Sequence, residues 1–171
     1  GSTQRTDTDR TAADNGVARL GSRPFIKIQP SASVTQNVLP GLALSAQLRG
    51  QWANRSLDGS ERMSLGGPTG VRAYGLSEAS VDEGAIVTLS ATQTLANQPN
   101  VAVAAFYDGA RGRVRGDGSL PGASTTLQGA GVALNVGWKQ AQMQLSYAHS
   151  IGRTYTGTHS QQVWVTLSKL F

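Results

Sequence analysis

The chain has 171 residues, enough for one domain, with 39% hydrophobic and 15% charged side chains, 21 glycines and no cysteine. No apolar run approaches the roughly 20 residues of a membrane-spanning helix. The formal net charge of +5 comes from scattered Lys and Arg without a basic block or an aromatic platform, which argues against a nucleic-acid partner. A protein that crosses a membrane with strands stays open, because such strands place apolar residues at every second position and average to near-neutral hydropathy. No leader is legible in residues 1–20, so a membrane-barrel reading implies a fragment.

Residues 1–22, rich in Thr, Asp, Arg and Ala without periodicity, read as a polar extracellular loop. A strand is expected over 26–35, where Ile26, Ile28, Ala32 and Val34 alternate with polar residues. Pro30 cannot donate to a ladder and points to an edge or a bulge there. After a tight turn at 37–41, the strand over 42–52 sets Leu42, Leu44, Ala46, Leu48 and Trp52 against Ser45, Gln47, Arg49 and Gln51. So many polar residues on one face are too wet for a sandwich core and suit a water-filled lumen. Residues 54–83 are long and irregular. Strands then resume at 85–95, 101–107, 125–138, 142–149 and 162–171. Their outward sets include Val87/Leu89, Val103/Tyr107, Val132/Leu134 and Met143/Leu145; the inward sets are small or polar, as in Gly129/Gly131 and Gln142/Gln144. Trp52, Tyr107, Trp138, Tyr147 and Tyr155 are expected near strand ends, as an aromatic girdle. In the last strand Val163, Val165, Leu167 and Phe171 share the apolar face.

Connections alternate in length. Those at 37–41, 96–100 and 139–141 are short, and those at 54–83, 109–124 and 150–160 are long. Short turns at one rim and long loops at the other are the arrangement of outer-membrane barrels. About seven strands are counted, and an open sheet of that size in lipid would leave unpaired backbone at both edges. The fold class is therefore all-β, an antiparallel transmembrane β-barrel, with 23–171 as its C-terminal part.

The segment from Glu61 to Gly84 makes the reading specific. Leu65-Gly66-Gly67 and then Gly70-Val71-Arg72-Ala73-Tyr74, followed by the acidic Glu78, Asp82 and Glu83, resemble the long lumen loop of two-partner secretion transporters. These are the haemolysin secretion/activation proteins of the BamA-like superfamily. Ala73 stands where that family more often carries Gly. Phe106-Tyr107-Asp108-Gly109 resembles its Phe-x-Asp-x-Gly signature, with Ala110 in place of the final Gly, and the C-terminal strand ending on Phe171 matches as well. The resemblance implies a sixteen-stranded barrel, of which this chain supplies about seven strands, preceded by periplasmic domains. It implies that 54–84 folds into the lumen, that Arg72 pairs with Asp108, and that Val71, Tyr74, Gly70, Phe106 and Gly109 belong to the same loop-lock and gate. Phe171, Leu167 and Val165 would carry the signal read by the barrel-assembly machinery. The implied function is an outer-membrane pore that moves a large exoprotein from periplasm to cell surface, with activation of that partner a further option. The partners would be that exoprotein, outer-membrane lipid and the assembly machinery, in a bacterial outer membrane, without cofactor and without catalysis.

The other polar residues carry blander readings. His149 and His159 lie ten positions apart with no carboxylate or cysteine at metal-ligand spacing. No Gly-x-Ser-x-Gly elbow is present. Gly129, Gly131 and Gly137 sit inside a strand and fit close packing against the loop better than phosphate binding, which needs a following helix. Glu78, Asp82 and Glu83 could be solvated, or could touch the wall or passing substrate. The alternatives are an assembly factor of the same superfamily, the barrel anchor of an outer-membrane enzyme, and a soluble β-sandwich.

Overall fold

The computed structural model describes residues 26–76, 78–97, 99–116, 122–152 and 160–169. The segment 1–22, Tyr155, His159 and Phe171 lie outside these residues. All regular structure described is β. Strands β1 (Lys27–Ile28) and β2 (Ser31–Leu39) both pair antiparallel with β3 (Leu42–Ala53), one after the other along the same edge. They are one strand broken at Pro30, whose carbonyl still accepts from the Gly50 N–H at 2.9 Å although the ring offers no donor. Two short strands, β4 (Met63–Ser64) and β5 (Ser80–Val81), pair with each other inside the long loop. Then β6 (Glu83–Asn97), β7 (Asn100–Val114), β8 (Ala123–Trp138), β9 (Ala141–Ser150) and β10 (Gln161–Lys169) follow as an antiparallel meander.

Counting β1 and β2 as one, seven strands form the wall. Among the described residues they do not close on themselves: the β1/β2 strand is one edge and β10 the other. The turns at one rim are tight. Gly41 (φ 79°) makes the first and Lys139 (φ 54°) the one between β8 and β9, both left-handed conformations that let a strand reverse within two residues.

The parity expected from sequence holds across the sheet. Along β7, Ala102, Phe106, Asp108, Ala110 and Gly112 are buried while Val103, Tyr107, Arg111 and Arg113 are exposed. The register puts Ser45, Ser90 and Phe106 side by side, and Gln47, Thr88, Asp108 and Gly129 side by side, on one face. The long loop covers that inner face. The outer face carries uncovered apolar side chains, among them Leu44, Leu89, Val132, Leu145, Val165 and Leu167, the last 75% exposed. An apolar face of this extent exceeds what a soluble monomer ordinarily leaves exposed.

Two expected boundaries are corrected. β2 runs to Leu39, so the first turn is confined to Pro40 and Gly41 and does not span 37–41. β7 does not end at Tyr107; it runs to Val114, so Asp108 and Gly109 lie in mid-strand and the following connection shrinks from 109–124 to 115–122. Gly109 and Gly112 look like breakers in sequence, but β7 is bonded on both sides, by β6 and β8, and tolerates them. Tyr107 and Tyr147 accordingly sit inside their strands, whereas Trp52 and Trp138 do lie at strand ends. Tyr107 marks the top of the apolar band on β7: above it the outer face continues with Gly109, Arg111 and Arg113.

Candidate functional site

The loop from β3 to β6 folds onto the inner face and brings its own tip against β7 to β10. Its local structure comes from glycine. Gly67 takes φ 96°, and hydrogen bonds from Val71 N to Leu65 O (2.8 Å), Gly67 N to Tyr74 O (2.9 Å) and Gly70 N to Gly67 O (3.0 Å) knot residues 65–74 into a compact turn. A Cβ on Gly70 would lie 2.4 Å from the Leu65 carbonyl oxygen, so no larger residue fits there. Leu65, Val71, Ala73, Tyr74, Ala79 and Val81 are buried against Ile86, Phe106, Ala110, Leu127, Ala133 and Ala148 of the wall. This is the principal apolar core among the described residues, and the loop supplies half of it.

At the tip Arg72 meets Asp108. Nε and Nη2 of the guanidinium donate to Oδ2 (2.9 Å) and Oδ1 (3.0 Å), and the Arg72 backbone N–H adds a third bond to Oδ2 (3.1 Å). Two parallel charge-assisted bonds fix orientation as well as distance. The Asp108 side chain is wholly buried and that of Arg72 only 14% exposed, so each charge depends on the other. The guanidinium carbon lies 3.2 Å from the centroid of the Phe106 ring, a cation–π contact that also shields the pair from water. Tyr74 reaches the Gln128 carbonyl at 3.4 Å, and burial pushes its phenol above the usual range, keeping the hydroxyl protonated as a donor.

Of the residues singled out in sequence, Arg72, Asp108, Phe106, Val71, Tyr74 and Gly70 are thus brought together. Gly109 is not: it faces the outer side, where the Tyr107 ring folds over it. Val165 and Leu167 lie on the outer face of β10, 67% and 75% exposed, on the side of the sheet away from the loop, and Phe171 lies outside the described residues. Gly129 does serve the loop. A Cβ there would come within 2.6 Å of the Ala73 methyl.

One residue escaped the sequence reading and a second was left open there. Trp164 of β10 donates from its indole N–H to the Arg72 carbonyl at 2.7 Å, across 92 positions of chain. Its inward parity was readable; its partner was not. Asp82 is the second. Wholly buried, it accepts from Leu57 N (2.9 Å), Arg62 Nε (3.0 Å), Arg115 N (2.7 Å) and Ser56 Oγ (3.4 Å), and so ties both limbs of the loop to the end of β7. Beside it Glu83 pairs with Arg113 and Arg115, and Glu61 with Lys27. Glu78 turns back on Gly75, its N–H 3.3 Å from that carbonyl.

The loop therefore has a root fastened by Asp82 and a tip fastened by Asp108. Between the tip and β2, β3 and β6 remains a cleft of about 420 Å³, lined by neutral polar side chains such as Ser45, Gln47, Thr88 and Ser90, with Arg72 at its border.

The comparisons with known proteins agree with this architecture. The chain is 27% identical over 145 residues to the heme/hemopexin transporter protein HuxB of Haemophilus influenzae, covering 80% of this chain and 26% of that protein. It is 29% identical over the same length to the HuxB of Haemophilus influenzae strain 86-028NP. The chain thus spans about a quarter of the length of the curated relatives it matches. The haemolysin secretion/activation protein family ShlB/FhaC/HecB matches residues 3–137, through the loop, the Arg72–Asp108 pair and most of the wall, and the chain belongs to that family.

Proposed function

We propose that the chain is the C-terminal part of an outer-membrane transporter that passes a large, unfolded partner exoprotein through its lumen to the cell surface. On this reading the loop from β3 to β6 is the gate. Docked, it occupies the inner face with Arg72 closed on Asp108; displaced, it leaves a polar wall along which a polypeptide moves without nucleotide or covalent chemistry. The observation that carries the reading is the buried Arg72–Asp108 fork, set in a loop that a seven-stranded wall has no need of for its own pairing. The outward apolar band supports lipid as the surrounding medium, and Val165, Leu167 and Phe171 are assigned to recognition by the barrel-assembly machinery. Activation of the exoprotein during passage is a further part of the same proposal.

The test uses the full-length transporter with its partner gene. Arg72→Ala should leave a heat-modifiable barrel at parental level in the outer membrane. Exoprotein in the medium should fall at least tenfold, because transport requires the loop to re-dock as well as to open, and truncating one member of the buried ion pair costs the docked state about 3 kcal/mol or more. Parental secretion by this variant would remove the gate. A barrel that folds but affects no exoprotein at all would transfer the chain to the barrel-assembly branch of the superfamily.

A further inference from the structure

The hydrogen bond from Trp164 to Arg72 has no place in a pairwise latch between loop and wall. Arg72 presents three polar features, and each has one partner or more. The guanidinium and the backbone N–H both go to Asp108 on β7, at the centre of the sheet. The carbonyl goes to the Trp164 indole on β10, at its edge. The N–H and the C=O of Arg72 belong to the two peptide units that flank its Cα, so fixing both gives the backbone at Arg72 a single orientation. In that orientation the side chain can reach Oδ1 and Oδ2 together while the N–H reaches Oδ2. Trp164 reaches across from its place beside Ser146, on the inner face by register, and is itself only half-buried, so nothing in β10's own pairing requires an indole there.

We propose that Trp164 is a positioning residue for the latch: by holding the Arg72 carbonyl it aims the guanidinium at Asp108 and fastens the loop tip to the edge strand as well as to the middle of the wall. Opening the latch then releases β10 from the loop in the same event. This deepens the gating role proposed above and rests on it.

The test is a single cysteine at Val71, wholly buried on the docked loop tip, placed in a full-length transporter without other cysteines. Its labelling by a membrane-impermeant maleimide on intact cells reports how often the tip leaves the wall. Only the folded, heat-modifiable band is scored. Trp164→Phe keeps an aromatic ring and removes the donor. It should speed labelling about fivefold, the shift expected when one neutral hydrogen bond is lost. Trp164→Leu should match it, because the donor and not the ring holds the carbonyl. Arg72→Ala is the control and should speed labelling more. Parental labelling in Trp164→Phe beside faster labelling in Arg72→Ala overturns this inference alone. Parental labelling in both overturns the latch itself and this inference with it. If Trp164→Phe gives no folded band, Trp164 serves barrel formation and the positioning role fails.

Discussion

Gly129 and Ala73 show how closely the tip is fitted at the scale of single atoms. The family more often has Gly where this chain has Ala73, and the extra methyl is accommodated because the facing wall position has none. The two positions share one methyl's worth of space. Gly129→Ala puts a Cβ 2.6 Å from the Ala73 methyl and 3.2 Å from the His149 carbonyl. Overpacking of this kind costs about 1–3 kcal/mol, and here it falls on docking of the loop, since β8 is held by both neighbours. The expected outcome is faster proteolytic cleavage within the loop of a barrel that still shifts on heating. Adding Ala73→Gly to Gly129→Ala should slow cleavage back toward the parental rate. Absence of such a rescue would place the cost in β8 itself, through the His149 contact.

At the scale of elements, the root and the tip of the loop are separate fastenings. Asp82→Asn leaves Arg62 without its counter-charge and turns one acceptor oxygen into a donor facing the N–H of Leu57 or Arg115. The cost should be about 2 kcal/mol, the worth of a charged hydrogen bond. It should appear as protease access at residues 54–62, with labelling of a Val71→Cys tip unchanged. The strand β10 has the opposite character, since the apolar side chains of its outer face, Val163, Val165 and Leu167, are 61%, 67% and 75% exposed. Leu167→Arg should cut the amount of folded barrel, at a cost of up to about 2–4 kcal/mol if the position lies near the bilayer midplane. An unchanged heat-shifted band would remove the lipid-facing assignment of that face. These elements also show what was legible beforehand. A period of two is carried by the residues themselves, so faces, turns and the seven strands were readable from Val, Leu, Ser and Gln alone. The pairing of Arg72 with Asp108 was readable only through the family resemblance. The end of β7 was not, because Gly109 and Gly112 look the same in sequence whether they break a strand or sit within one. Trp164 and Asp82 were not either, because their roles depend on which distant segment the loop meets.

For the whole molecule the governing fact is that the described sheet has two edges. Along the β1/β2 strand and along β10, every second residue turns its N–H and C=O away from the only neighbouring strand. In water such groups bond solvent; in hydrocarbon each costs several kcal/mol. With nine residues in each of β2 and β10, the sum far exceeds the stability of an ordinary domain, about 5–15 kcal/mol. The loop cannot offset it, since its contacts are with the inner face and leave the edges bare. The 171-residue chain refolded alone into detergent micelles or lipid vesicles should therefore give no heat-shifted, protease-resistant monomer. The full-length protein under the same conditions should give one, because further strands of the family's barrel would pair with both edges. A resistant monomer from the chain alone would mean that β1/β2 and β10 can close on each other. A seven-stranded lumen would then be too narrow to hold both the loop and a moving polypeptide, and transport through this wall would have to be abandoned.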